Sequence, residues 1–121
     1  MTIPDHNNVY GALKTTAGLQ SVLNALRSLS GIEKAFIYTS SHNGAETLHF
    51  SSAEFDFVST PLEIHEHLLN GAVAGPPAQI AGTVQTIAAA LTVAGIEAKF
   101  EINDENQNPV ELVPAQTQIK K

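Results

Sequence analysis

The side chains in this 121-residue chain that could do chemistry are histidines and carboxylates. The run His65-Glu66-His67, with His42 and His49 upstream, is the grouping that invites a metal ion. Helical ligands must stand three or four residues apart, however, and residues two apart point about 200° from each other. The residues from Thr60 to Asn70 read as a short helix, so His65 and His67 fall on different sides of it. His65 sits in an apolar arc with Leu62, Ile64, Leu68 and Leu69, as a half-buried, hydrogen-bonded histidine. His67 sits with Glu63 and Glu66 on the solvated side. No metal site is predicted.

Glu54 and Asp56 read as neighbours on one face of a strand, with Cβ atoms about 7 Å apart. Such a pair can do acid–base work or hold a cation, although an exposed strand is also an ordinary place for acids. His49 lies opposite Leu48 and Phe50 on its strand, where it can meet Thr47 and Tyr38 across a sheet. Asp104 and Glu105, among Asn103, Asn106 and Asn108, lack the glycine and terminal glutamate of an EF-hand loop and read as a turn. Gly71 to Gly75 precede a helix start but have no Lys or Arg beside them to grip phosphate. Neither a phosphate-loop pattern nor a Gly-x-Ser-x-Gly elbow occurs. No catalytic residue and no cofactor is assigned. The candidate binding residues are Phe36, Tyr38, His49, Glu54, Asp56 and His65.

Composition narrows the partners. Six Lys and Arg stand against twelve Asp and Glu, for a formal net charge of −6, and there is no Cys or Trp. A chain this acidic lacks the basic face that nucleic-acid binding needs. Without Cys there is no disulfide framework, thiolate metal site or thiol nucleophile. The residues from Ala35 to Ala98 contain no Lys or Arg at all, yet hold four of the five histidines. No window approaches the ~18 apolar residues of a membrane span, and the first residues show no basic-then-apolar leader, so a soluble, cytoplasmic protein is expected.

Positioning these groups requires an α+β fold. Residues 1–9 read as a flexible arm, 10–114 as one domain and 115–121 as a flexible tail. Leu19, Val22, Leu26 and Leu29 make one helical stripe ending before Gly31. Three strands follow: 33–39, apolar on both faces and therefore expected at the centre of the sheet; 45–50, after the Asn43-Gly44 turn; and 53–58. Thr60-Pro61-Leu62-Glu63 has the form of a helix start, with Thr as cap, Pro first and Glu three residues after Thr. Pro76-Pro77 open a longer helix to Ala94 on the ridge Ile80, Val84, Ile87 and Leu91. Strands 96–102 and 109–113 close the chain. The expected order is α-β-β-β-α-α-β-β, a two-layer domain with a mostly antiparallel five-stranded sheet covered by helices.

That order in a small acidic chain is similar to type III secretion chaperones in topology and charge, apart from the break at Gly71–Pro77. The helix-Gly31-Ile32-strand opening resembles roadblock-type domains, although the later strand count differs. Both are likenesses of fold and imply no site residues. The expectation for function is a small non-catalytic interaction protein: an accessory subunit, chaperone or inhibitor that meets a protein partner or a second copy of itself. The alternative is a ligand-binding protein or enzyme with a pocket between the sheet and the 61–95 helices.

Overall fold

The computed structural model describes residues 2–113. The elements are β1 (Val9–Lys14), α1 (Leu19–Arg27), β2 (Ile32–Thr39), β3 (Glu46–Ser52), β4 (Phe55–Glu63), β5 (Glu66–Val73), α2 (Pro77–Val93), β6 (Glu97–Asn103) and β7 (Pro109–Val113). The seven strands form one antiparallel sheet in the order β2-β3-β4-β5-β1-β6-β7. The α+β class holds, but the five-stranded sheet is corrected to seven strands and the three helices to two. The likeness in element order to secretion chaperones goes with that correction.

Both additional strands contain a glycine. β1 occupies residues expected to lie in the arm and the approach to the first helix. β5, with the end of β4, replaces the helix expected over 60–70: Glu63 pairs with Glu66 across a turn at Ile64 and His65. The helix-start signal at Thr60-Pro61 is therefore overridden by sheet pairing. Pro61 can sit in β4 because the β3–β4 ladder spans only His49–Ser51, so this stretch of β4 needs few donors on that side. The strand 33–39, expected at the centre, is β2 at the sheet edge.

Glycines are required where β5 and β1 pass between two phenylalanines. Phe57 pairs with Gly71, and Phe100 with Gly11. A Cβ on Gly71 would come within 2.5 Å of the Phe57 ring and 2.6 Å of the Asp56 carbonyl oxygen. On Gly11 it would come within 2.6 Å of the Phe100 ring and 2.7 Å of the Leu69 carbonyl oxygen. The two rings lean over the bare backbone and meet edge to face, centroids 6.4 Å apart, although three strand spacings, about 14 Å, separate β4 from β6. Phe50 stacks on Phe57 at 5.1 Å, and Phe55 meets both edge-on.

The helices cover this aromatic layer. Leu19, Val22, Leu23 and Leu26 of α1 are buried, as are Ile80, Val84, Ile87 and Leu91 of α2. These are the stripes that helical spacing predicts. At the N-terminal end of β1, the Asn8 side chain acts as an extra peptide group. Its Nδ2 donates to the Val73 carbonyl at 3.0 Å, and its Oδ1 accepts from the Val73 N–H at 2.9 Å.

Two stability predictions follow from these contacts. Gly71→Ala and Gly11→Ala should each lower unfolding free energy by about 2–3 kcal/mol through overpacking, whereas Gly82→Ala, in open space on α2, should raise it by about 0.5–1 kcal/mol. Asn8→Ala should cost about 2–4 kcal/mol, because it strands a buried N–H and a buried carbonyl of Val73 together. Urea titrations of the four variants check all of these values.

Candidate functional site

With both helices on one side, strand alternation decides what the other side shows. Phe36 and Tyr38 of β2, Thr47 and His49 of β3, Asp56 and Val58 of β4, and Asn70 of β5 project from the face away from the helices. Cross-strand pairing sets Phe36 beside His49, and His49 beside Val58. The Phe36 and His49 rings meet edge to face with centroids 5.3 Å apart. His49 Nε2 lies 2.7 Å from Asp56 Oδ1, diagonally across the β3–β4 pair. A ring N–H donating to a carboxylate fixes the orientation of the imidazole and leaves Nδ1 as its second polar point.

Four of the six candidate residues, Phe36, Tyr38, His49 and Asp56, thus come together on one face. The other two do not. Glu54 lies in the β3–β4 turn, where its N–H bonds Ser52 Oγ and its carbonyl accepts from Ala74. It does not share a strand face with Asp56. His65 sits in the turn at the far end of β4, exposed, with its carbonyl accepting from the Thr15 N–H at 2.9 Å. The nine residues of β4 separate these turns by about 30 Å.

The roles expected for His65 and His67 are exchanged. His67 is the half-buried one, because β5 turns it to the helix side with Leu69, Gly71 and Val73, next to Pro61 and Leu13. Its Nδ1 is buried without a hydrogen-bond partner. Burial pulls its pKa below the usual 6.5, and the Glu46 carboxylate offsets this in part. The two histidines therefore cannot bind one ion together, and no group of three or more metal-ligating side chains occurs among the described residues.

One cleft lies on the outer face and a second on the helix side. One, of about 500 Å³, lies between the segment Ile3–Asn7 and Asp56, Val58, Thr60, Asn70 and Ala72 of the sheet. The other, of about 450 Å³, lies where that segment passes Pro77 and Ile80 of α2 and Ile102, Asp104 and Val110 of the last hairpin. The first places the His49–Asp56 pair at the rim of a roofed groove. Ile3–Asn7, within the stretch expected as a flexible arm, line this groove. Val9, Gly11 and Leu13 are buried in the strand that anchors that stretch, but with Gly11 on the inner side and Tyr10 and Ala12 on the outer the sequence shows only a weak alternation. The Asp104 loop is a turn, with Asp104 Oδ1 accepting from the N–H groups of Asn106 and Asn108.

No family model, curated protein or solved structure matches the chain.

The position of His67 predicts a pH effect. A histidine with a depressed pKa in the folded state adds stability above the unfolded value, about 6.5, and loses it as pH falls below. Urea midpoints should drop between about pH 7.5 and 5, and His67→Phe should flatten that drop. Parallel curves for the two proteins would contradict the assignment.

Proposed function

We propose that the protein is a non-catalytic interaction module that holds another protein surface against the outer face of its sheet. One observation carries the reading: the face without helices bears large exposed apolar side chains. Phe36 is 42% exposed, Tyr38 58%, Val58 42% and Leu112 42%. An antiparallel sheet with one solvated face normally alternates apolar inside with polar outside. Here the outer rows mix aromatic and aliphatic groups with a hydrogen-bonded His–Asp pair, the composition of an interface core ringed by polar groups. His49 hydrogen-bonds Asp56, and among the described residues no hydroxyl is hydrogen-bonded to it, so the pair supports recognition better than nucleophilic catalysis. The lack of Lys and Arg from 35 to 98 favours a neutral or basic partner.

A second reading has one observation in its favour. The groove roofed by Ile3–Asn7 has Asp56 on its wall and His49 behind it, so a small polar ligand could lie there. It would occupy the outer face; of the 61–95 helices expected to wall a pocket against the sheet, α2 alone is present, and the cleft beside it is the one lined by Pro77, Ile80 and Ile102.

Photo-crosslinking tests the first reading. Benzoylphenylalanine replacing Tyr38 should give a discrete protein adduct in the producing cells, and the same group at Gln85, exposed on α2, should not. Phe36→Ser with Val58→Ser should abolish that adduct while leaving the thermal midpoint within a few degrees. Equal, diffuse labelling at positions 38 and 85 would refute the assignment of this face.

A further inference from the structure

Three hydrogen bonds identify which backbone groups of β2 face out of the sheet. The exposed Arg27 Nη2 donates to the Ala35 carbonyl oxygen at 3.3 Å, and the Ser40 N–H donates to the Ala45 carbonyl across the start of the ladder. The Leu48 N–H, on the residue opposite Ile37, goes to Ser59 Oγ on the β4 side at 2.8 Å. Ala35 and Ile37 are therefore not the hydrogen-bonded positions of the β2–β3 ladder. Because those positions alternate, the N–H and C=O groups of Ala35, Ile37 and Thr39 all point away from the sheet.

We propose that this edge pairs with a second copy of the chain, β2 antiparallel to β2, about a two-fold axis at Ile37. The proposal deepens the interaction-module reading by naming the partner at one end of the outer face. It shares with that reading only the exposure of Phe36 and Tyr38.

The composition of β2 suits an interior strand, yet the strand stands at the rim. Its outer face carries Phe36 and Tyr38. Its inner face carries Ala35 and Ile37, which are only half-buried, beside the equally half-buried Leu29 and Ile32 that fringe the core. Apolar side chains thus flank the edge on both faces. Sheet edges are normally guarded by proline, charge, bulges or shortness. The other edge, β7, is five residues long, begins with Pro109 and carries Glu111. The run from Ala35 to Thr39 has no proline and no charge, and the one irregularity of β2 lies before it, at Ile32/Lys34.

A second copy supplies what the edge lacks. An axis at Ile37, the middle of the regular run, pairs Ile37 with itself and Ala35 with Thr39 of the second copy as hydrogen-bonded positions. Phe36 then faces Tyr38 of the second copy at the closer, non-hydrogen-bonded positions, twice, on the same outer face. The exposed Arg27 side chain gives up the Ala35 carbonyl to the Thr39 N–H of the second copy. With a net charge of −6 per chain, two copies meet best where no acid is present, and residues 34–45 contain none. Each β2 becomes a central strand of one continuous sheet.

Light scattering across a concentration series should give twice the 12.8 kDa chain mass. Amide exchange by NMR should show the Ile37 and Thr39 N–H groups protected in that species. Phe36→Lys with Tyr38→Lys sets like charges opposite each other and should weaken association by about tenfold or more. In that variant the same two amides should exchange freely while the β4–β5 amides stay protected. Mixing it with the Phe36→Glu, Tyr38→Glu variant should restore a dimer. If the lysine variant does not fold, amide exchange in the native protein decides alone. A native monomer at all concentrations overturns the proposal, and continued crosslinking at position 38 would then leave the outer-face reading standing. A dimer in which the Ile37 and Thr39 amides exchange freely also overturns it, because that dimer forms elsewhere.

Discussion

The fold depends on two phenylalanine rings closing over two glycines. Phe57 and Phe100 stand on strands with two others between them, yet they touch, because Gly71 and Gly11 put no carbon in their way. That single contact ties β4 to β6 through the core and so holds the chain's N-terminal strand, β1, in the middle of the sheet. Phe50 and Phe55 extend the same layer toward β3, and the apolar stripes of α1 and α2 close it from above. A glycine inside a strand usually weakens it. Here the loss is offset by two large rings seated on the backbone, an arrangement in which packing selects the residue rather than backbone conformation.

Putting all the helices on one side has a direct consequence for the other. The outer face must meet water or a partner with whatever the alternate positions supply. Those positions are neither uniformly polar nor uniformly apolar. Aromatic and aliphatic groups cluster toward β2–β4, around the His49–Asp56 pair, and charged groups toward the opposite side, where Lys14 lies 3.8 Å from Glu66. The cation-free middle of the sequence becomes β3, β4, β5 and α2 with most of β2 and the first residues of β6, and Lys34 and Lys99 bound it on those two strands.

Periodicity made much of this legible. The stripes Leu19–Leu26 and Ile80–Leu91, the Pro77 helix start, the alternation Ala98-Phe100-Ile102 and the strand beginning at Pro109 all depend on near neighbours in sequence, and they stand where spacing puts them. What was not legible is governed by distant partners. Gly11 and Gly71 look like breakers until Phe100 and Phe57 lie beside them. Thr60-Pro61-Leu62-Glu63 has the form of a helix start, and no local feature reveals that residues 66–73 will pair with it instead. That pairing takes His65 and His67 out of the helix that local signals favour. It reverses which of them is buried and puts one in a turn and the other in a strand. Glu54 was misplaced by a shorter step, because the β3–β4 turn takes up Ala53 and Glu54 before β4 begins. Phe36, Tyr38, His49 and Asp56 share one face because their placement needs only the β2-β3-β4 meander, whose alternation is local.

Asn8 fastens the first strand by the chemistry of its amide as well as by its shape. Its carboxamide stands in for a peptide group at the end of the β1–β5 ladder, with one donor and one acceptor both engaged by Val73. Of the common side chains that could be confused with it, aspartate has the same outline but no N–H, and it would set a negative oxygen against the Val73 carbonyl. An aspartate there would convert a closed ladder end into a repelling one without changing the side chain's outline, so the place where the first strand is fastened reads one N–H as well as a shape.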